Sequence, residues 1–277
     1  MSESKGRIRG AARKLLALGW ALGLSPAAAG SLPAPSPSPQ ATASLSPTPV
    51  ATEAADKLKR LSLEALMDLD VTSVAKAPQP WGEAPAAIDV ITHDAMDRSG
   101  ARTIPEALRL ADNLEVAQKD AHDWAISSRG FDTDSANKLL VLMDGRSVYT
   151  PLFSGVFWDV QDYLLEDLDR IEVVSGPGGT LWGANAVNGV INITSKDAKE
   201  TQGVYWQASG GSRHQDSLAV RVGDQLAPGL YYRVYGKYFD EGDEDFPDGS
   251  QAPDAWAHAQ GGFRMDEGAD PSEHFTL

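Results

Sequence analysis

The side chains that most often carry catalysis or bind metals are sparse in this chain of 277 residues. It has five histidines and no cysteine. Without cysteine there are no disulfides, thiolate zinc sites, iron–sulfur clusters or cysteine nucleophiles. No two histidines stand three or four residues apart, the spacing of helical metal ligands. Ser154 lies in an aromatic stretch with no histidine near it in the sequence. We therefore expect neither an enzyme nor a resident metal or cofactor.

The glycine-rich stretch at 176–183 is a candidate phosphate-binding loop. Its details argue against that interpretation. No Lys-Ser/Thr pair follows at P-loop spacing, and Leu181 stands where a dinucleotide-binding fingerprint has its third glycine. Pro177 also lacks the backbone N–H that a phosphate would need. The stretch instead predicts a tight turn into a short helix.

Acidic residues dominate the charge. There are 39 Asp and Glu against 24 Lys and Arg, which gives a net charge of −15. This balance argues against nucleic-acid binding, which uses a basic stripe or patch. The densest acidic stretch, at 240–245, could suggest calcium, but Pro247 and Asp248 break the spacing of an EF-hand loop. We expect a solvated acidic loop there.

The first 65 residues contain targeting signals. Five basic residues precede an apolar run at 15–24, and three alanines follow at 27–29. This order predicts a secretory signal peptide over 1–29, and a short amphipathic helix with a basic end is the alternative. Residues 31–52 carry no charge and are rich in proline, serine and threonine. Residues 30–65 are therefore predicted to be a disordered linker.

Residues 79–200 mix short strand and helix patterns. Thr92 and Thr103 are predicted helix N-caps, and Thr103 forms a capping box with Glu106, in a helix that runs to about residue 113. The dipeptide Asp144-Gly145 predicts a hairpin turn. Strands are predicted at 87–91, 114–118, 125–128, 139–143, 171–174 and 190–193. Because this order is not a regular βαβ repeat, we expect a mixed α+β domain.

From residue 203 onward, apolar and polar residues alternate. Strands are predicted at 204–209, 218–222, 231–239 and 256–264, with a short turn at 224–229 and a longer polar loop at 240–253. Alternating strands with short turns at one end and longer loops at the other are typical of a transmembrane β-barrel. A soluble β-sandwich or meander would show a similar pattern.

Several segments in order resemble the TonB-dependent outer-membrane receptors. Residues 70–74 (D-V-T-S-V) resemble a TonB box. The segments that resemble the plug domain of this family are 85–92, 104–109, 128–131, 142–149, 170–177 and 180–193. The resemblance runs from about 66 to 196 and into the first barrel strands. Ser175 departs from the pattern, because many family members have arginine before Gly-Pro.

The resemblance implies an α+β plug domain at 79–200, with a small mixed β-sheet and short helices. A TonB-box region at 66–78 precedes it, and the first antiparallel strands of a transmembrane β-barrel follow at 201–277. A plugged barrel has about 22 strands, and an open sheet edge does not occur in lipid. The resemblance therefore implies a C-terminally incomplete chain: part of a longer receptor, or a truncated product that cannot form a channel.

Three sets of site residues follow from the resemblance. A TonB-type energising protein in the periplasm would bind Asp70, Val71, Thr72, Ser73 and Val74, which could otherwise form an ordinary strand of the domain. A small-molecule ligand would contact Tyr149, Phe153, Phe157 and Trp158 in an apical loop, although these aromatic residues could instead pack against the barrel wall. Polar anchoring of plug to barrel would use Arg129, Arg170 and Glu172, whose alternative is internal salt bridging.

The function implied is active uptake across the cell outer membrane, with the plug gating the barrel lumen. The family's ligands include ferric siderophores, cobalamin, other metal chelates and glycans. The implied partners are the TonB-type protein, the ligand and outer-membrane lipid. The alternative is a secreted or periplasmic plug-like binding module that does not transport.

Overall fold

A computed structural model describes residues 70–73, 78–84, 86–130, 133, 137–212, 214–268 and 275–276. The chain divides into two units, and the first, Met1–Ala54, lies outside the described residues. The predicted signal peptide (1–29), the linker (30–65), residues 66–69 and Val74 also lie outside them. In the part that is described, none of the helices has both the length and the apolar character needed to cross a membrane.

Short strands and helices make up residues 70–201. The strands are β1 (Asp70–Val71), β2 (Gln79–Pro80), β3 (Ala87–Thr92), β4 (Glu115–Gln118), β5 (Trp124–Ser127), β6 (Leu139–Met143), β7 (Arg146–Ser147), β8 (Leu168–Ser175) and β9 (Gly189–Ser195). The α-helices are α1 (His93–Ser99), α2 (Ile104–Leu108) and α3 (Gly179–Trp182). Short 3-10 helices span Trp81–Glu83, Leu165–Asp167 and Ala198–Thr201.

The central sheet has the strand order β3–β8–β9–β6–β7. Its strands pair antiparallel, except for β6 and β9, which are parallel. Strands β1 and β2 pair separately, as do β4 and β5. A mixed sheet with short helices is the predicted α+β fold, which the structure confirms. The glycine-rich stretch forms a turn into α3, also as predicted.

Both predicted N-caps are present. Thr92 Oγ1 accepts a hydrogen bond from the Ala95 N–H at 3.2 Å, and Thr103 Oγ1 accepts one from the Glu106 N–H at 3.4 Å. The return bond of the predicted capping box differs, because Glu106 accepts from the Arg102 N–H at 2.7 Å. Helix α2 is also shorter than predicted. It ends at Leu108, and single turns continue the chain to Ala111.

The central sheet is buried on both faces. One face packs against α1 and α2, in a cluster that includes Ile91, Met96, Ile104, Leu108 and Val141. The opposite face forms a second cluster of Val71, Ile88, Leu140, Leu142, Val174, Ala186 and Val190. Strand β6 supplies residues to both faces, which explains its uninterrupted apolar sequence. The short strand β1 covers part of the second face.

A second sheet follows at residues 203–276 and is called here the C-terminal sheet. Its strands are β10 (Gly203–Gly210), β11 (His214–Ala227), β12 (Leu230–Glu241), β13 (Trp256–Glu267) and β14 (Phe275–Thr276). They pair antiparallel in sequence order. Strands β11 to β13 are longer than predicted, because their ends carry polar residues that the alternation of apolar side chains does not mark.

The connections between these strands differ in part from the prediction. Strands β11 and β12 are joined by Pro228 and Gly229 alone, whereas residues 242–255 form the longer loop between β12 and β13. The connection at 211–213 is short, although antiparallel order places it at the same end of the sheet as the long loop. The expected division into a short-turn end and a long-loop end therefore fails at the first hairpin.

The two faces of the C-terminal sheet have opposite character. The paired residues Val204, Val222, Val234 and Phe263 form one row across four strands, and all four are exposed. On the opposite face, Arg221 and Arg233 are buried against the α+β domain. The sheet thus presents an apolar face outward and a polar face toward the α+β domain.

Candidate functional site

The segment 70–73, predicted to bind a periplasmic partner, lies folded against the α+β domain. Asp70 pairs with Pro80 and Val71 with Gln79, so that β1 and β2 form a two-residue antiparallel ladder. The Val71 side chain has no exposed area and packs in the second apolar cluster. Ser73 is also buried, whereas Asp70 is exposed. Position 70 is therefore open to solvent and position 71 is not.

A buried carboxylate binds the backbone of this segment. Glu172, in β8, has no exposed area. Its Oε2 accepts hydrogen bonds from the Thr72 N–H at 3.1 Å and the Ser73 N–H at 2.9 Å. The Ser73 hydroxyl donates to the same oxygen. Hydrogen bonds to an ionised acceptor are roughly twice as strong as neutral ones, and a buried carboxylate requires such donors.

Two more side chains complete the contact. Trp182 Nε1 donates to the Ser73 carbonyl at 2.7 Å, and Asn192 Nδ2 donates to Thr72 Oγ1 at 3.3 Å. These bonds and those to Glu172 are called the docking contacts below. They come from β8, α3 and β9, so three elements of the domain hold segment 70–73.

Arg170 neutralises the charge of Glu172. Its Nε donates to Glu172 Oε1 at 2.8 Å, and its guanidinium also pairs with Asp169. Burial would lower the pKa of Arg170, but the hydrogen bond and charge of Glu172, together with Asp169, raise it above its usual value. The arginine therefore stays charged beside the buried carboxylate.

Two of the three predicted anchoring residues form the alternative contact that the sequence left open. Arg170 and Glu172 make the internal salt bridge that was their alternative, and Glu172 also contacts segment 70–73. Arg129 is exposed and has a positive φ of 59°. Its role as an anchor stays a prediction.

The contacts between the α+β domain and the C-terminal sheet pair acidic with basic side chains. The sheet supplies the bases and the domain supplies the acids. Arg221 pairs with Asp167, and Arg233 Nε lies 3.7 Å from the same carboxylate. Lys237 Nζ lies 2.8 Å from Asp162. Arg233 also donates to Ser195. Arg264 contacts Ser195, Asp197 and Asp144.

Sequence reasoning missed these pairs. Asp167 and Arg221 are 54 positions apart, and no local motif connects them. One signal was available. Basic residues at inward positions of alternating strands, such as Arg221 and Arg233, indicate that the face they share is polar.

The predicted ligand-binding aromatic residues fall into two groups. Phe153 and Phe157 are 57% and 43% exposed, and their rings meet edge to face with centroids 4.9 Å apart. Tyr149 is half-buried. Trp158 is only 7% exposed and packs in the first apolar cluster, so its position does not match the ligand contact predicted for it. Packing of a large apolar ring in the core explains the difference.

The connection between β4 and β5 touches the long loop of the C-terminal sheet. Asp254 accepts from the Ala121 N–H at 3.0 Å, and Trp256 Nε1 donates to the Ala121 carbonyl at 2.9 Å. The Trp256 ring also meets His122 edge to face. A second contact lies at the end of the sheet where Pro228 and Gly229 join β11 to β12. There the Ala198 N–H of the domain donates to Asp266, which pairs with Tyr231.

One cluster at the β4–β5 connection combines possible metal donors. Asp120, His122 and Asp123 offer ligand atoms within 4.8 Å of one another. Asp120 already accepts from the backbone N–H groups of Asp123 at 2.8 Å and His122 at 3.0 Å. Burial opposes ionisation, but these two bonds, together with the nearby His122 and Lys119 side chains, lower the pKa of Asp120. The geometry is that of a carboxylate that orders its own turn.

Comparisons with known proteins agree with this architecture. A family profile described as "TonB-dependent Receptor Plug Domain" matches residues 82–190. The chain is 26% identical over 173 residues to the "Vitamin B12 transporter BtuB" of Vibrio vulnificus, covering 62% of this chain and 28% of that protein. It is 31% identical over 179 residues to the "Iron-regulated outer membrane virulence protein" of Vibrio cholerae, covering 60% and 27%.

Solved structures show the same fold. The pyoverdine outer membrane receptor FpvA of Pseudomonas aeruginosa aligns with a TM-score of 0.59 at 19% identity, over 76% of this chain and 29% of that one. The ferric yersiniabactin uptake receptor FyuA of Yersinia pestis aligns with a TM-score of 0.53 at 21% identity, over 67% and 29%. The chain thus spans less than a third of the length of these relatives.

Proposed function

Since this chain belongs to the TonB-dependent receptor family and its α+β domain is the plug domain, we propose that it acts in energised uptake of a small-molecule ligand across the outer membrane. The plug domain gates the passage. The C-terminal sheet belongs to the wall around the plug, and a TonB-type protein in the periplasm supplies the energy through segment 70–74.

The observation that carries this proposal is the state of segment 70–73. Its first two residues form the short strand β1, Val71 and Thr72 are β-branched, and the segment is held to the plug domain by side chains and one two-residue ladder. Such a strand can leave its site without breaking the central sheet. Once free, it can add to the sheet of a partner through backbone hydrogen bonds, which demand little of the side chains.

The location in the outer membrane is supported by the C-terminal sheet. Its outward face carries Val204, Trp206, Val222 and Phe263, all exposed in this chain. Alternation of apolar outward and polar inward residues is the pattern of outer-membrane strands. The names of the relatives, a vitamin B12 transporter and an iron-regulated outer membrane protein, support the same location.

Ligand entry is proposed at the end of the plug domain that meets the long loop 242–255. Phe153 and Phe157 are the candidate contacts, because both rings are exposed and form one apolar surface. Ligands with apolar or aromatic groups fit such a pair. Vitamin B12, ferric yersiniabactin and pyoverdine, the ligands in the names of the relatives, are the first to test.

Deletion of residues 70–74 from the full-length receptor tests the proposal. We expect the deletion to abolish uptake of labelled vitamin B12 or ferric pyoverdine, whichever the intact receptor transports, and to leave binding of the same ligand to outer membranes unchanged. A matched deletion of five residues in the 31–52 stretch is the control. Loss of binding together with uptake would count against the TonB-box assignment, and so would unimpaired uptake.

A further inference from the structure

Resting on the proposed function, we infer that Glu172 controls access to the TonB-box segment: residues 71–73 bind either to Glu172 or to a partner strand, never to both. Docking on the plug domain uses the same backbone groups that strand addition requires. Glu172 is thus a positioning residue that keeps the segment docked on the plug domain.

The backbone N–H groups of residues 72 and 73 are already in use while the segment is docked. Strand addition joins two chains through their N–H and C=O groups. In the docked segment the N–H groups of Thr72 and Ser73 both point to the Glu172 carboxylate, at 3.1 and 2.9 Å. The Ser73 carbonyl accepts from Trp182 Nε1 at 2.7 Å. These groups are not available to a second strand until the docking contacts break.

The side chain of Val71 is also inaccessible while the segment is docked. It has no exposed area and lies among Ile88, Val174 and Val190 in the second apolar cluster. The edge of residue 71 is also occupied, since Val71 pairs with Gln79 in β2. A partner could reach neither the side chain nor the paired edge while the segment is docked.

A carboxylate suits position 172 because the docked segment presents donors to it. Glu172 Oε2 accepts from the Thr72 N–H, the Ser73 N–H and the Ser73 hydroxyl, and a carboxylate offers acceptors without a donor that would oppose these groups. When the segment leaves, Glu172 still has the Arg170 Nε bond at 2.8 Å. The buried charge is then never without a counter-charge, so that release stays reversible.

The absence of cysteine from the chain makes the inference measurable. Val71→Cys adds one thiol of similar size at a position that is buried when docked, and Asp70→Cys adds one at an exposed position. Any cysteine in the remainder of the full-length receptor is first replaced by serine. The rate of maleimide labelling at position 71, divided by the rate at position 70, reports how often segment 70–73 is released from the plug domain. The measurement uses the full-length receptor in detergent micelles.

Glu172→Gln is the decisive variant. The amide keeps the shape of the side chain but removes the charge and turns one acceptor into a donor. We expect the labelling ratio to rise at least about tenfold, the effect of losing one charged hydrogen bond. Asp169→Asn is the matched control: it removes the other carboxylate that pairs with Arg170 and leaves the docking contacts intact. It should change the ratio by less than about twofold.

Trp182→Phe offers a second route if Glu172→Gln fails to fold, as judged by far-ultraviolet circular dichroism. It removes the donor to the Ser73 carbonyl and should raise the ratio by at least about fivefold, the effect of one neutral hydrogen bond. An unchanged ratio in the folded variants would overturn the inference. The inference would also be overturned if Asp169→Asn raised the ratio as much as Glu172→Gln.

Binding of the purified periplasmic domain of a TonB-type protein separates this inference from the proposed function. If Glu172 keeps the segment docked, the Glu172→Gln receptor binds that periplasmic domain more tightly than the parent does. The affinity rises in proportion to the fraction of receptors whose segment is released. A higher labelling ratio with no binding of the domain would support the role of Glu172 and refute the proposed partner. Tighter binding with an unchanged labelling ratio would refute the role of Glu172 and support the partner.

Discussion

Glu172 and Asp120 each accept hydrogen bonds from two backbone N–H groups of the plug domain. Glu172 does so in the interior, where it accepts from Thr72 and Ser73 and pairs with Arg170. Asp120 does so at the surface, where it accepts from the N–H groups of His122 and Asp123. The interior carboxylate binds a segment a hundred residues away, whereas the surface carboxylate orders only its own turn.

The turn at Asp120 gives a prediction for pH. Its hydrogen bonds lower the pKa of Asp120 in the folded protein, so the ionised carboxylate stabilises the fold at pH values above about 4, its ordinary unfolded range. The contribution is lost as the pH falls through the lower folded value. Asp120→Asn should reduce the stability of the folded protein at pH 7 by less than about 1 kcal/mol.

Urea unfolding followed by tryptophan fluorescence measures the effect. The parent and Asp120→Asn should differ at pH 7 and become equal at about pH 2, where both side chains are neutral. A difference that persists at low pH would show that the charge is not the cause. The partly exposed position of the side chain explains why the expected effect is small.

Secondary-structure elements were predictable where a local rule fixes them. The turn at Asp144 and Gly145 has positive φ at both positions, 47° and 76°, as the sequence predicts for this hairpin. The N-caps at Thr92 and Thr103 are equally local. The end of α2, the parallel pairing of β6 with β9 and the docking of β1 were not predictable, because each depends on residues far away in the chain.

A substitution in the β6–β7 turn tests the local rule. At Gly145 an added Cβ would meet no atom within 4 Å, so Gly145→Ala should be destabilising through its positive φ alone, by about 1–2 kcal/mol. Gly236→Ala is the control, since that residue has equally free space and no positive φ. The urea midpoints of the two variants provide the comparison. Equal midpoints would contradict the backbone explanation.

At the scale of the whole molecule, the plug domain and the C-terminal sheet are held together by acids on one side and bases on the other. The sequence resemblance implied polar anchoring through Arg129, Arg170 and Glu172, a set that holds two bases and one acid. The contacts described here put bases on the strands, at Arg221 and Arg233. Charge alone could not assign these pairs, because the chain has 39 acidic residues and the chosen partners share no local spacing.

Asp167 is the residue on which this contact depends most, since it faces both arginines and is 1% exposed. Asp167→Asn leaves Arg221 and Arg233 buried without their shared counter-charge, and Arg233 already lies near Arg264 through Ser195. Breaking a buried ion pair by removing one partner costs about 3–5 kcal/mol. We therefore expect a large fall in the urea midpoint of the full-length receptor and faster proteolysis of the plug domain.

Asp169→Asn is the control here as well, because Asp169 lies two positions away and its carboxylate is 46% exposed in a pair with Arg170. Exposed pairs contribute about 0–1 kcal/mol, so this variant should unfold close to the parent. The expected difference between the two variants follows from burial and from the second arginine, not from the loss of an acidic charge as such. Equal effects of the two substitutions would mean that the plug domain is held by its apolar contacts, such as Leu164 against Tyr235, and that the ion pairs only set its orientation.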